Sequence, residues 1–76
     1  MSSLVTQMWL LEQYGPRLNT AQLATVMNLA RGTVNNQISA GTFPIATYVD
    51  GQRYADYRDV AAHFDKCREL AKERAA

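Results

Sequence analysis

Residues 19–44, NTAQLATVMNLARGTVNNQISAGTFP, decide the fold, because they contain two short helical patterns separated by only three residues. In the second pattern, Val34 and Ile38 lie four positions apart and therefore share one helix face. Two helices joined by so short a turn cross at a large angle, and the second one protrudes. The stretch predicts a helix-turn-helix over residues 19–40, whose second helix, from about Arg31 to Ala40, is presented to the major groove of DNA.

The segment before this stretch repeats apolar residues at helical spacing until Gly15-Pro16 ends the pattern, which predicts a helix over residues 1–15. Its apolar arc is wider than one packed face requires. Either the rest of the domain wraps this helix, which is the more common arrangement in a small domain, or the helix meets a second subunit. Trp9 is expected in the core or at that dimer interface.

The segment after the stretch changes to alternating spacing, which predicts a small β-hairpin over residues 45–55. Asp50-Gly51 is the dipeptide best suited to a two-residue hairpin turn. Because this hairpin directly follows the second helix, it is typical of a wing beside a DNA-reading helix. Asp56 can then cap a final helix over residues 56–74.

Length and composition favour a single small domain over residues 1–76. We predict a mainly α fold with a small β-hairpin, a winged helix-turn-helix of about four helices. No apolar run of about 18 residues could cross a membrane, and no signal peptide is visible. The one cysteine cannot form an internal disulfide, which fits a reducing cytoplasm.

Charge is distributed unevenly, although the formal net charge is only +1. Within residues 15–54, the bases Arg17, Arg31 and Arg53 face a single acid, Asp50, so this segment is locally basic. Since each phosphate contact contributes about 0.9 to the salt slope of binding, three arginines should hold DNA only modestly. We therefore expect several copies to act together, as a homodimer or as a cooperative array on DNA.

The candidate DNA contacts lie at the start of the first helix, along the second helix and at the hairpin tip. Asparagine and glutamine can bond bidentately to adenine, with about 1–3 kcal/mol of discrimination for a good pair. Arginine can hold a guanine or a phosphate, and a helix N-terminus favours phosphate. The candidates are Gln22, Arg31, Thr33, Asn35, Asn36, Gln37, Gln52 and Arg53.

Catalysis and metal binding are poorly supported by the sequence. His63 and Cys67 lie four positions apart, but a structural zinc needs four ligands, and the chain contains no second histidine or cysteine. No third group is evident that would orient the two as a nucleophile pair. We predict that the protein is not an enzyme and binds no cofactor or metal, and that Cys67 is a half-buried packing residue.

Several strings, taken in order, resemble a known family of DNA-binding proteins. Leu29–Val34 (LARGTV) and Gly41–Pro44 (GTFP), followed by the hairpin, resemble the small phage and prophage regulators of the AlpA and excisionase type, relatives of the MerR winged helix. Residues 8–14, 43–48 and 60–65 extend the resemblance to the pyocin-activator family of transcription activators.

This resemblance implies a DNA-binding transcriptional regulator, an activator, of phage, prophage or bacteriocin-type genes, with RNA polymerase as its protein partner. An excisionase-like factor that bends DNA beside an integrase is an alternative on the same scaffold. Several positions depart from the family: Ala30 replaces the usual serine and Thr42 a basic residue. Asn35, Asn36 and Gln37 stand where the family often has tyrosine, arginine and an aromatic residue. A small phage protein that inhibits a host protein is the alternative from another class, because the charge is near neutral and the first helix is broadly apolar.

Overall fold

The computed structural model describes residues 3–75, which form four helices and a three-stranded antiparallel sheet. The elements in chain order are α1 (Leu4–Tyr14), β1 (Arg17–Asn19), α2 (Thr20–Met27), α3 (Arg31–Ala40), β2 (Tyr48–Asp50), β3 (Gln52–Asp56) and α4 (Tyr57–Ala75). The predicted mainly helical fold with a small hairpin is confirmed, and the arrangement is compatible with a winged helix. Met1 and Ser2, which the predicted first helix included, lie outside the described residues.

The tight connection between α2 and α3 follows from local chemistry at the helix ends. Asn19 and Gln22 form a reciprocal capping box: each side chain accepts a hydrogen bond from the other's backbone N–H, at 2.9 and 3.0 Å. Asn28 ends α2 in the left-handed conformation, with φ 56°, which asparagine adopts more readily than most residues. The connection between α2 and α3 is therefore only three residues long, from 28 to 30.

The sheet has the order β1-β3-β2, and β1 was not predicted from the sequence. Leu18 of β1 pairs with Ala55 of β3, and both side chains are fully buried. At the hairpin, Asp50 pairs with Gln52, so Gly51 alone, with φ 73°, forms the connection. The predicted two-residue turn is therefore wrong, and the strand alternation begins at residue 48 rather than 45.

The core lies where α1, α4 and the sheet meet. Its fully buried side chains include Leu10 from α1 and Val60 from α4. The remaining members of this cluster are Leu18, Leu23, Ile45, Ala55 and Ala61. Val34 is the buried residue of α3, a helix that packs against α2.

The wrapped alternative for α1 and the prediction for Cys67 are both wrong. The domain does not wrap α1, because Trp9 is 49% exposed and several other apolar side chains of that helix face solvent. Cys67 is exposed rather than half-buried, since the packed face of α4 ends near Phe64 and the last turns extend beyond the core. Among residues 3–75, no helix is both long enough and apolar enough to span a membrane.

Candidate nucleic-acid interface

An open cleft between α3 and the hairpin brings together four of the eight predicted contact residues. Arg31 and Asn35 come from α3, and Gln52 and Arg53 come from the start of β3. Thr20, Ile38 and Ser39 complete its lining. No acidic residue lines this cleft, so its electrostatic potential is set by the two arginines and by neutral polar groups.

Arg31 opens α3 and is exposed. Ala30, the residue that precedes the helix, provides no side-chain cap, so the first N–H groups of α3 have no side-chain partner there. A free guanidinium and uncapped N–H groups at a helix N-terminus both favour an anion at that end of the cleft.

Gly32, the second residue of α3, lies at the same end and is exposed. A Cβ added to this glycine would meet no atom within 4 Å. Glycine is a poor helix former, and packing within the described residues gives no reason for it at this position. Open backbone at this position allows a ligand group to approach the helix closely.

Arg53 is held in place by the loop that precedes the hairpin. Its Nη1 donates a hydrogen bond to Oγ1 of Thr47 at 2.9 Å. A neutral hydroxyl partner leaves the positive charge uncompensated while restricting the side chain. Gln52 beside it is exposed at the hairpin tip, so the hairpin offers the cleft one oriented cation and one amide.

The other predicted contacts lie outside the cleft. Thr33 and Asn36 are exposed on α3, where they extend its polar surface beyond the cleft edge, and Gln37 is half-buried. Gln22 is engaged in the capping box of α2, and Thr20 rather than Gln22 reaches the cleft. The cleft also contains Ser39, which sequence reasoning missed although it lies one helical turn after Asn35.

Arg17 is one of the basic residues of this region, but its side chain contacts Asp50 and Tyr54 and does not line the cleft. Its Nη1 lies 2.8 Å from Oδ2 of Asp50, and its guanidinium carbon lies 3.8 Å from the centre of the Tyr54 ring. The hydrogen bond to Asp50 is the main reason that the pKa of Arg17 is raised above its ordinary value. This pair neutralises the only acid of the hairpin tip and leaves Arg31 and Arg53 as the arginines that face the cleft.

The His63–Cys67 pair of α4 lies in a separate groove. Sγ of Cys67 is 3.6 Å from Nε2 of His63, and the pKa of His63 is lowered, first by burial and then by the charge of Lys66. Within residues 3–75, no group of three histidine, cysteine or acidic side chains could hold a metal ion.

Compared with known proteins, the chain matches no family model, no curated protein and no solved structure.

Proposed function

We propose that this protein binds double-stranded DNA sequence-specifically as a winged helix-turn-helix, with α3 in the major groove and the hairpin on the neighbouring backbone or minor groove. The observation that carries the proposal is the cleft in which Arg31 and Asn35 of α3 meet Gln52 and Arg53 of the hairpin. These two pairs are far apart in sequence, and the absence of an acid among the lining residues suits a polyanion.

The dimensions of α3 fit this role. A helix of 10 residues is about 15 Å long and about 10–12 Å across with its side chains, which matches a major groove about 12 Å wide. Val34 is the buried residue of α3, so most of its surface is available for contact. Asn35 and Asn36, both exposed, are the side chains suited to read adenine.

The two ends of the cleft have different roles in this proposal. Arg31, Gly32 and the uncapped N–H groups of α3 hold a phosphate, which positions the helix but carries no sequence information. Arg53, restrained by Thr47, holds a second phosphate from the hairpin side. Sequence is then read by the amides between these two anchors.

The regulatory role rests on the resemblance of the helix-turn-helix strings to phage and prophage regulators. We infer a transcription activator with RNA polymerase as its partner, and an excisionase-like factor as the alternative. A circular-permutation bending assay separates the two, since an excisionase bends its site and changes the mobility of the complex with site position, whereas an activator that leaves the DNA straight does not.

The DNA proposal is tested by selection from a random duplex library, followed by anisotropy titration of the selected site and of a scrambled duplex. Preference for the selected site at near-physiological salt supports the proposal, and equal binding that disappears as salt rises contradicts sequence-specific recognition. If neither duplex binds at low salt, the DNA proposal fails and the inhibitor of a host protein becomes the leading hypothesis.

Substitutions on and off the cleft sharpen this test. Arg31→Ala should reduce the salt slope by about 0.9, because one phosphate contact is lost. Arg74→Ala removes the same charge from an exposed position at the end of α4 and should leave the slope unchanged. Asn35→Ala, in the cleft, should reduce the preference for adenine at one position by about 1–3 kcal/mol while the salt slope stays the same.

A further inference from the structure

One side of α1 exposes an apolar face that the folded chain does not cover. Leu4 is 70% exposed, Val5 79% and Met8 59%, and these three line a shallow groove with Trp9 and Glu12. Leu11, 42% exposed, lies one turn after Met8 and extends the same face. Leu10 and Tyr14 occupy the opposite side of the helix, towards the core. Together the exposed residues form the α1 face: Leu4, Val5, Met8, Trp9, Leu11 and Glu12.

We propose that the α1 face binds the α1 face of a second copy of this chain, with the two helices antiparallel about a two-fold axis at Met8. In that arrangement Met8 contacts its own symmetry mate, Val5 lies opposite Leu11, and Leu4 lies opposite Glu12. Leu4, Val5, Met8 and Leu11 then each have an apolar side chain or the methylene stem of Glu12 opposite them. Trp9 lies at the edge of the pair, opposite Gln7. A symmetric pair of this kind closes at two copies.

Charge decides the orientation. Glu12 is the only ionisable side chain of the α1 face. The first turn of α1 contains no acidic residue, and Ser3 forms no side-chain cap. Asp65 accepts a hydrogen bond from the backbone N–H of Ser3, so a carboxylate of the same chain already lies at the N-terminus of α1. An antiparallel pair keeps the two Glu12 carboxylates at opposite ends of the interface, whereas a parallel pair would place them side by side, where they repel each other.

The size of the face sets the strength of the association. Large apolar side chains at these exposures offer on the order of 100 Å² each, so the face provides roughly 500 Å² per copy. This lies within the about 300–600 Å² of the largest apolar patch on a typical monomer, a patch that is often functional, and below the about 800 Å² per partner of a standard interface. We therefore expect a reversible dimer that responds to protein concentration rather than an obligate one.

Dimerisation through α1 leaves the cleft open. Helix α1 packs against α4 and β1, whereas α3 packs against α2. The proposal therefore stands independently of DNA binding, and its test requires no DNA.

The test uses the full chain at increasing concentration in sedimentation equilibrium and in fluorescence. The mass should rise from 8.5 kDa towards twice that value. Trp9 is the only tryptophan and is 49% exposed on this face, so its emission should shift to shorter wavelength over the same concentrations. A mass that stays at the monomer value, with unchanged emission, would overturn the proposal.

Charge substitutions identify the interface. Met8→Glu should abolish association, because it places two carboxylates at the two-fold axis. Ala71→Glu adds the same charge at an exposed position of α4 and should leave association unchanged. Circular dichroism melting shows whether each variant still folds. If a folded Met8→Glu variant still associates, the dimer uses another surface and the proposal is wrong.

The orientation has its own test in Glu12→Gln. The antiparallel arrangement predicts unchanged association, since the two carboxylates lie at opposite ends of the interface. A parallel arrangement predicts stronger association, since a repulsion is removed. A chain that stays monomeric, with Trp9 emission insensitive to concentration, contradicts the second-copy proposal and leaves a different protein as the candidate occupant of the α1 face.

Discussion

Arg17 and Asp50 lie 33 positions apart in the sequence and form an ion pair, with Nη1 and Oδ2 separated by 2.8 Å. The pair joins β1 to the hairpin tip, and the guanidinium also covers the Tyr54 ring of β3 between them. Asp50 is the only acid at the hairpin tip, two positions before Gln52 of the cleft. Its neutralisation by Arg17 keeps that end of the cleft favourable for an anion.

Arg17→Ala should therefore weaken DNA binding without removing a DNA contact. The variant leaves the Asp50 carboxylate uncompensated near the phosphate backbone, and like charges repel. Asp50→Asn in the same chain should restore affinity to near the wild-type value, measured by anisotropy at low salt. If affinity remains low in the double variant, Arg17 contacts DNA itself and the pairing has another purpose.

Gly32→Ala should make the protein more stable and a weaker DNA binder. The alanine methyl group has open space and lowers the cost of forming α3, so stability should rise by roughly 0.5–1 kcal/mol. The same methyl group would separate the helix backbone from a bound phosphate and should reduce affinity about tenfold, equivalent to one hydrogen bond to a charged group. Thermal melting and anisotropy measure the two effects.

Thr25→Ala is the control for this prediction. Thr25 is exposed on α2, so alanine there raises helix propensity without a change at the cleft. It should stabilise the protein and leave affinity unchanged. Equal affinity of Gly32→Ala and wild type would indicate that no ligand approaches the start of α3 closely.

The helices could be predicted from the sequence because their signals are local. Asn19 and Gln22 mark the start of α2 as a capping box, and the separation of Val34 from Ile38 marks the inner face of α3. The side chain of Asp56 accepts a hydrogen bond from the N–H of Arg58 at 2.8 Å, as expected for the cap of α4. These features depend on neighbours within four residues, so the sequence is sufficient to identify them.

The features that the sequence did not predict correctly depend on residues distant in the chain. β1 has only three residues, too few to show the alternating pattern of a strand. It forms because Leu18 pairs with Ala55 on the neighbouring strand β3. The exposure of α1 depends on how much surface α4 can cover, which periodicity alone does not reveal. Candidate residues such as Arg31 and Gln52 could be identified separately, but only folding shows that they share one cleft while Gln22 serves as a cap.

Ala30→Ser should stabilise the protein by supplying the missing cap of α3. Ala30 already has the extended backbone of a capping residue, with φ −68° and ψ 144°, and lacks only a side-chain acceptor. A serine at such a position typically contributes about 1 kcal/mol, which raises the melting temperature of a domain of this size by about 4–8 °C. Ala46→Ser, in an exposed loop, should give no gain. A melting temperature equal to wild type would show that the cap does not form.

Stability should also fall on mild acidification, and His63 should be one source of that loss. Burial first, and the charge of Lys66 second, lower the pKa of His63 in the folded chain. As the pH falls through about 6.5, the unfolded chain therefore binds a proton before the folded chain does, and the folded state loses stability until its own lower pKa is passed. Above that range the histidine is neutral in both states and contributes nothing.

His63→Gln should reduce this dependence on pH. The urea midpoint of wild type should fall between pH near 8 and pH near 5 by more than the midpoint of the variant. Lys66→Gln should reduce the fall by less than His63→Gln does, because it removes only the smaller of the two causes. If the midpoints of wild type and His63→Gln fall equally, other groups cause the loss of stability. The pKa of His63 would then be the same in the folded and the unfolded chain.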